Sequence, residues 1–194
     1  MDVVFQAILV GVLQGLTEFI PISSSAHLEL TPWIMGWEED GLVGSLAFDV
    51  LLHLGTFLAL LIYFWRDLLR LAAAFFASIR ERRVGDDLDR RLAWLLALAT
   101  VPAVVIGFLG EDLIDEVLHG GSDPARLAIA GFLVIGALAL LAADRLGSRH
   151  RDIRHVGVAA ALVVGFSQAL ALLPGISRSG ATITAGLAMG LTRE

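Results

Sequence analysis

Three long, predominantly apolar runs, at 45–65, 92–109 and 125–143, place the strongest constraint on how this chain can fold. A helix needs about 20 such residues to cross the roughly 30 Å hydrocarbon core of a bilayer. Hydrophobic residues make up 57% of the chain, against about 45–50% in a typical soluble domain. Lipid requires every backbone polar group to be bonded within the protein, which favours helices. The sequence therefore predicts an all-α polytopic membrane protein, with 1–194 forming a single membrane domain.

Charge alternates in sign between the segments that connect these runs. The segments 66–91 and 144–155 are rich in arginine, whereas 36–44 and 110–124 carry Asp and Glu and no arginine. Positively charged loops stay on the cytoplasmic side of a membrane. We therefore predict a multi-pass protein of the plasma (inner) membrane, with the arginine-rich segments in the cytoplasm and the acidic segments outside. The net charge of −6 does not favour nucleic acid as a partner.

The remaining apolar segments, 3–36 and 156–191, are each too long for one simple span and are broken in the middle by proline and serine. Each can form two short helices that enter and leave on one side, or a kinked span plus an interfacial piece. A short repeat favours the first interpretation, because GVLQGLTEFIPISSS (11–25) aligns, with one-residue offsets, with GFSQALALLPGISRS (165–179). Three crossings separate the copies. We therefore expect inverted repeats, each with a re-entrant helix pair, whose broken tips meet within the membrane.

The two breaks contain groups that bind an anion. A helix restarts after each break, and the unpaired N–H groups of a helix N-terminus attract negative charge. Arg178 adds a planar guanidinium that matches the oxygens of a phosphate. Because an arginine within a membrane is costly, we expect it to pair with Glu18 or with a bound anion. Hydroxyl donors come from Ser24, Ser25, Ser177 and Ser179.

Residues around the first proline supply acid–base and metal-binding chemistry. Gln14 and Glu18 are four residues apart and therefore share a helix face. Their oxygens can hold a divalent cation, and Glu18 can alternatively act as a general acid or base. Ser24 and His27 are candidate nucleophiles, one activating the other. Two mechanisms stay open: attack by Ser24 with His27 as its base, or attack by His27 through a phosphohistidine.

Each of these residues also has a structural interpretation. The serines are common helix N-caps. Glu18 and Arg178 can form a structural ion pair, and His27 can be a hydrogen-bonded interior histidine. Asp49 and His53, four residues apart within the first span, are predicted to form a supporting hydrogen-bonded pair that faces the bundle. The structural interpretations would have to hold at both breaks of a duplicated pattern, so the site interpretation is favoured.

Three stretches resemble the undecaprenyl-diphosphate phosphatase family, also called the bacitracin-resistance protein family. QGLTEFIPISSSAHL (14–28) is similar to its first signature, a Gln/Glu-x-x-x-Glu stretch followed by Pro, a serine cluster and His. LLPGISRSGATIT (172–184) is similar to its second signature, Pro-Gly-x-Ser-Arg-Ser-x-x-Thr. FDVLLHLGT (48–56) is similar to the family's first span. The order and spacing of these stretches agree along essentially the whole chain.

The resemblance implies an enzyme that removes the terminal phosphate of a polyprenyl diphosphate and leaves the lipid monophosphate carrier for cell-wall glycan assembly. It also implies a divalent cation, Mg²⁺ or Ca²⁺. By position, the catalytic residues are Glu18, Ser24, His27 and Arg178, and the candidate cation ligands are Glu18 and Gln14. The residues expected to contact the substrate are Ser23, Ser25, Gly175, Ser177, Ser179 and Thr182.

The family resemblance also implies what surrounds this site. Members of the family have two inverted repeats and continue through further spans after the second signature. We therefore expect about three C-terminal spans of the second repeat to be absent from this chain. The expected partners are the polyprenyl diphosphate lipid and the bilayer, with a homodimer left open. A transporter or lipid flippase with a broken-helix anion site is the alternative, because transporters also contain inverted repeats with broken helices.

Overall fold

A computed structural model describes residues 2–37, 41–118 and 123–193, without the side chains of 111–118. The chain is helical within these ranges and forms no β-strand there, which confirms the all-α prediction. The helices of the described chain are α1 (Val3–Phe19), α2 (Ser24–Met35), α3 (Leu46–Glu81), α4 (Leu88–Leu118), α5 (Asp123–Leu146), a 3-10 turn (Ile153–His155), α6 (Val158–Leu170) and α7 (Arg178–Ala188).

Among the helices of the described ranges, α3, α4 and α5 are long and apolar enough, by length and composition, to cross a membrane. They contain the three predicted apolar runs. In α3 no residue of the most apolar 18-residue window is buried. Large side chains such as Ile62 on α3 and Phe108 on α4 are mostly exposed. A soluble monomer rarely exposes a continuous apolar surface of this size. The exposed surface therefore suits lipid, as the prediction of a multi-pass membrane protein requires.

The long helices extend beyond the predicted spans. Residues 66–81 contain no Gly or Pro and are rich in Leu and Ala, so α3 continues through them to Glu81. At 1.5 Å per residue this helix is about 54 Å long, well beyond the roughly 30 Å of hydrocarbon. The prediction of a connecting loop over 66–91 is therefore wrong for most of its length. Much of that arginine-rich segment belongs to the ends of two helices.

The acidic connections also differ from the predicted loops. Helix α4 runs to Leu118, since the sequence has no helix-breaking residue between 111 and 118. Most of the predicted loop 110–124 is therefore helical backbone. The acidic residues Glu38, Glu39 and Asp40 of the other predicted outer segment lie outside the described residues.

Close contacts between small and aromatic residues hold the long helices together. The indole Nε1 of Trp94 on α4 donates to Ser78 Oγ on α3 at 2.9 Å, and its ring lies 4.7 Å from that of Phe75. Helix α6 approaches α4 at Gly165, where a Cβ atom would lie only 2.3 Å from the carbonyl oxygen of Ala99. Small residues let membrane helices pack this closely. These contacts fix α6, and with it the second break, against the long helices.

Each of the two broken segments forms a pair of short helices. The first break separates α1 from α2 and contains Pro21, and the second separates α6 from α7 and contains Pro174. Proline lacks a backbone N–H and interrupts a helix in this way. Ser23 in the first break has φ of 66°, and Gly175 in the second has φ of 100°. Left-handed backbone at both positions turns the chain sharply between its two helices.

Candidate active site

The tips of the two breaks meet. Pro21 and Ile22 from the first break line two cavities that are also lined by residues of the second break and α7, among them Ser177 and Thr182. The contact is close, since a Cβ atom at Gly180 would lie 3.2 Å from the carbonyl oxygen of Pro21. The structure therefore brings together the two polar interruptions that lie far apart in the chain.

The Glu18 carboxylate accepts hydrogen bonds from both sides of the first break. Its Oε2 accepts a hydrogen bond from Gln14 Nε2 at 3.0 Å and another from Ser24 Oγ at 2.6 Å. Hydrogen bonds from a hydroxyl to a carboxylate are short and strong. Helix α1 positions Gln14 and Glu18 on one face, and the sharp turn at Ser23 returns Ser24 to that face. The hydroxyl of Ser24 is thus held by an acceptor that can take its proton.

Within the described residues, His27 makes no hydrogen bond to Ser24, although the proposed nucleophile–base pair would require one. Its Nδ1 lies 2.7 Å from the backbone carbonyl oxygen of Ser23. A carbonyl oxygen can only accept, so Nδ1 carries a hydrogen and Nε2 of the neutral ring is an acceptor. Ser24 is hydrogen-bonded to Glu18 instead of His27, because the His27 ring is bonded to the backbone at the start of its own helix.

The serines of the two breaks differ in role. Ser177 is an N-cap, because its Oγ accepts from the backbone N–H of Gly180 at 3.1 Å and lies 3.0 Å from Ser179 Oγ. Ser23 precedes α2 but its side chain makes no capping bond; it is buried and lies 3.3 Å from Ser25 Oγ. The capping interpretation therefore holds for Ser177 and is wrong for Ser23, whose backbone is strained instead.

Arg178 begins α7 and is exposed. In the described part of the chain it forms no ion pair with Glu18 within 4.0 Å, so the structural ion pair is not formed and the guanidinium can receive an anion. Thr182, one turn later, donates its hydroxyl to the Arg178 carbonyl at 3.0 Å. Ser177, Arg178 and Thr182 thus lie together at the start of one helix.

The backbone angle and the close packing at residue 175 both require glycine. Its φ of 100° is one that other residues adopt only with strain, and a Cβ atom would lie 2.4 Å from the carbonyl oxygen of Ile129 on α5. The second break therefore presses directly against α5. Its predicted contact with substrate stays a prediction.

The residues near Glu18 fit a hard divalent cation. Gln14 is almost fully buried, and its Oε1 has no hydrogen-bond partner within the described residues. Buried polar atoms are nearly always bonded, so this oxygen is suited to a ligand. Among the residues that the structure covers, no three His, Cys, Asp or Glu side chains converge on one point. A cation here would combine one carboxylate with amide and substrate oxygens, a set that Mg²⁺ commonly uses.

The structure adds one residue that the two break sequences did not suggest. Nε2 of His53 on α3 lies 3.9 Å from Glu18 Oε2, and its Nδ1 lies 2.8 Å from the backbone carbonyl oxygen of Asp49. The predicted pair of Asp49 and His53 therefore forms through the backbone of Asp49 rather than through its carboxylate. The available signal was an ionisable residue inside an apolar span, which often marks function.

Comparison with known proteins places this chain in a family. Residues 7–194 match the family described as bacitracin resistance protein BacA. Among curated proteins, the chain is 47% identical to an undecaprenyl-diphosphatase of Thermomicrobium roseum and 50% identical to one of Alcanivorax borkumensis. Each alignment covers 98% of this chain and 68% of the relative. A third, from Geotalea daltonii, is 45% identical over 98% of this chain and 67% of its own length. The chain therefore belongs to the bacitracin resistance protein BacA family.

Proposed function

We propose that this chain dephosphorylates undecaprenyl diphosphate, or a similar polyprenyl diphosphate, and yields the lipid monophosphate that carries cell-wall glycan precursors. The observation that carries the proposal is the 2.6 Å bond from Ser24 Oγ to Glu18, in a break that touches the one containing Arg178. A transporter would need binding groups but no activated hydroxyl. The curated relatives, all named as diphosphatases, also favour hydrolysis over transport.

Ser24 is the proposed nucleophile and Glu18 the acceptor of its proton. Ser24 Oγ attacks the terminal phosphorus, the bond from that phosphorus to the bridging oxygen breaks, and the lipid monophosphate leaves with the bond's electron pair. A water molecule then cleaves the phosphoserine and releases inorganic phosphate. His27 offers its Nε2 as an acceptor for a proton of that water, because its Nδ1 is already bonded to the Ser23 carbonyl. The structure thus favours Ser24 over His27 as the attacking group.

The second break supplies the groups that bind the diphosphate. Arg178 presents a guanidinium that can bind two phosphate oxygens at once. Helix α7 begins at the same residue, so its first N–H groups and its partial positive charge face the same anion. Ser177 and Ser179 add hydroxyl donors. Together these groups would stabilise the negative charge that accumulates on the transferred phosphoryl group.

A divalent cation would be held by Glu18 and Gln14 together with phosphate oxygens. When bound, it would neutralise phosphate charge and so favour attack by an oxygen nucleophile. The buried and unbonded Oε1 of Gln14 supports this assignment. Mg²⁺ and Ca²⁺ both suit oxygen ligands.

Apolar cavities beside the breaks support a lipid-linked substrate. The cavity that contains Ser177 and Gly180 is otherwise lined mostly by apolar residues, including Leu133 and Ile135 of α5. A diphosphate bound at the breaks would therefore have its prenyl chain next to an apolar surface continuous with the lipid-facing helices. We also propose that the protein lies in the plasma membrane with the arginine-rich helix ends in the cytoplasm, as the distribution of arginine favours.

Replacement of Arg178 tests the proposal. In the detergent-purified chain we expect Arg178→Ala to lower phosphate release from a polyprenyl diphosphate by at least about a hundredfold, the scale of losing one preorganised donor. Arg80→Ala is the matched control, because Arg80 is exposed and pairs only loosely with Glu81 at 3.6 Å. Detergent abolishes any gradient, so phosphate release by the wild-type chain also separates hydrolysis from transport. Near-normal turnover of Arg178→Ala would reject the assigned role.

A further inference from the structure

Helix α3 contributes a side chain to this site from outside the two breaks. We propose that His53 is a nitrogen ligand of the divalent cation, together with the Glu18 carboxylate and the Gln14 amide oxygen. The imidazole shifts the preference of the site from Ca²⁺ toward transition ions such as Mn²⁺. The inference rests on the cation site that the proposed function includes, and it adds both a ligand and a selectivity to that site.

The hydrogen bond made by His53 Nδ1 determines the tautomer of its ring. His53 Nδ1 lies 2.8 Å from the Asp49 carbonyl oxygen. Since that oxygen can only accept, Nδ1 carries the hydrogen and Nε2 of the neutral ring has a free lone pair. Metal-binding histidines almost always donate their other ring N–H to a carbonyl or carboxylate in this way. Helix α3 therefore holds His53 with Nε2 as the ligating atom.

The separation between His53 Nε2 and the Glu18 carboxylate suits a bridging ion. The 3.9 Å between Nε2 and Glu18 Oε2 is too long for a hydrogen bond. Bonds from a divalent ion to nitrogen and oxygen are each about 2.0–2.2 Å, so one ion can contact both atoms across this gap. Two lone-pair-bearing atoms on different helices, α1 and α3, thus face each other at a distance that an ion can bridge.

The amide oxygen of Gln14 is the third proposed ligand. This residue is 1% exposed, and its Oε1 is without a hydrogen-bond partner in the described part of the chain. Its amide also lies directly against the carboxylate, because Nε2 donates to Glu18 Oε2 at 3.0 Å. A side-chain amide oxygen is a common cation ligand. An ion bound by Oε1 would satisfy the polar atom of Gln14 that the described residues leave unbonded.

The ligand set determines which ion is preferred. Ca²⁺ takes six to eight oxygen ligands, whereas imidazole nitrogen favours first-row transition ions. The site offers one carboxylate, one amide oxygen and one imidazole, which leaves positions for substrate phosphate oxygens. A mixed nitrogen and oxygen set of this kind is expected to bind Mn²⁺ more tightly than Ca²⁺.

Mn²⁺ alone serves as the probe, with the purified full chain stripped by a chelator. Electron paramagnetic resonance measures free Mn²⁺, and electron spin echo modulation detects an imidazole nitrogen coupled to the bound ion. We expect one bound Mn²⁺ with imidazole coupling in the wild-type chain. His53→Leu, which offers no ligand atom, should lose that coupling and bind Mn²⁺ at least about tenfold more weakly. His53→Asp, which offers an oxygen ligand, should recover much of the affinity without recovering the coupling.

Two other histidines are the matched controls. His150 lies in a loop and is bonded through its backbone N–H to Gly190, so His150→Gln should leave affinity and coupling unchanged. His27→Gln should keep the coupling if His53 is its source. Coupling that persists in His53→Leu, or that is absent from the wild-type chain, overturns the proposal. Circular dichroism of each variant separates loss of a ligand from loss of the fold.

The same samples keep the two proposals distinct. Imidazole coupling with no release of phosphate from a polyprenyl diphosphate would reject the proposed phosphatase and retain His53 as a ligand. Phosphate release without coupling in the wild-type chain would retain the phosphatase and reject His53.

Discussion

Single residues set the chemistry of the first break. Glu18 Oε2 receives hydrogen bonds from Ser24 and Gln14 and faces Nε2 of His53. A carboxylate held by two donors is positioned without any need for side-chain rearrangement before the reaction, which is how preorganised sites gain their efficiency. The strained φ of 66° at Ser23 is consistent with this arrangement, because it turns Ser24 back toward α1.

The first prediction concerns the nucleophile. Ser24→Ala should reduce phosphate release by at least about a thousandfold, since loss of a nucleophile leaves only the binding groups of the site. Thr100→Val is the control, because the Thr100 hydroxyl is bonded only to its own helix at Leu96. A steady-state assay of released phosphate makes the measurement. Turnover of Ser24→Ala within a few-fold of wild type would show that His27 or water is the nucleophile.

The second prediction concerns the buried amide. Gln14→Leu removes the unbonded Oε1 and the hydrogen bond from Nε2 to Glu18, and it adds apolar volume. Because these changes offset one another, the cation-free chain should unfold at about the same denaturant concentration. The Mg²⁺ concentration for half-maximal phosphate release should rise by about tenfold. Gln168→Leu is the matched control, because Gln168 occupies the equivalent position in the second repeat copy. A lower unfolding midpoint together with an unchanged Mg²⁺ requirement would show that Gln14 is a structural residue.

At the scale of elements, the second break is positioned by close backbone contacts. Gly165 on α6 packs against Ala99 on α4, and Gly175 in the break packs against Ile129 on α5. These contacts leave no room for a Cβ atom. They hold Arg178 at the end of a rigid connection rather than on a free loop, which is the arrangement that a precise phosphate site requires.

The third prediction tests this packing. Gly165→Ala should lower the free energy of SDS-induced unfolding by about 1–3 kcal/mol, because its Cβ would overlap the Ala99 carbonyl. Gly136→Ala on α5 is the control, since nothing lies within 4 Å of its added Cβ. Alanine is also the better helix former, by about 1 kcal/mol, so the control should be neutral or stabilising. Equal effects of the two substitutions would show that α4 and α6 are not in close contact.

Element boundaries were only partly predictable from the sequence. Hydrophobic length located α3, α4 and α5 but ended α3 too early, because hydropathy reports where the lipid-compatible stretch stops and not where the helix stops. Residues 66–81 remain helical through their own propensity and through contacts with α4, such as Arg70 with Asp89 at 3.4 Å. Proline and the serine clusters located both breaks correctly, since those residues interrupt helices in any environment.

The site was predictable to a similar extent. The break sequences identified Glu18, Ser24, His27 and Arg178 as candidates. Polar groups within an apolar membrane segment are costly and often mark a functional site. The partner of Ser24 was not predictable, since it depends on which way the chain turns at Ser23. The approach of His53 to Glu18 depends on how α1 packs against α3, which residue spacing within either helix cannot report.

In the molecule as a whole, two segments that lie far apart in the chain come into contact. Pro21 and Ile22 of the first break share a cavity with Thr182 and Ile183 of α7. The contact joins the segment that follows Glu18 and precedes Ser24 to the helix that begins at Arg178. If the breaks did not meet, the Ser24 hydroxyl and the Arg178 guanidinium could not act on the same phosphate.

Cysteine cross-linking tests that contact most directly. The chain has no cysteine, so Ile22→Cys with Ile183→Cys gives a background-free pair at two exposed positions of the shared cavity. Treated in native membranes with a short bis-maleimide, this pair should form an intramolecular cross-link in most molecules. Ile22→Cys with Ile79→Cys is the control, because residue 79 lies about 39 Å along α3 from His53, and should not cross-link. Efficient cross-linking of the first pair alone is the predicted result. Failure of that pair, or equal cross-linking of both pairs, would contradict the single shared site.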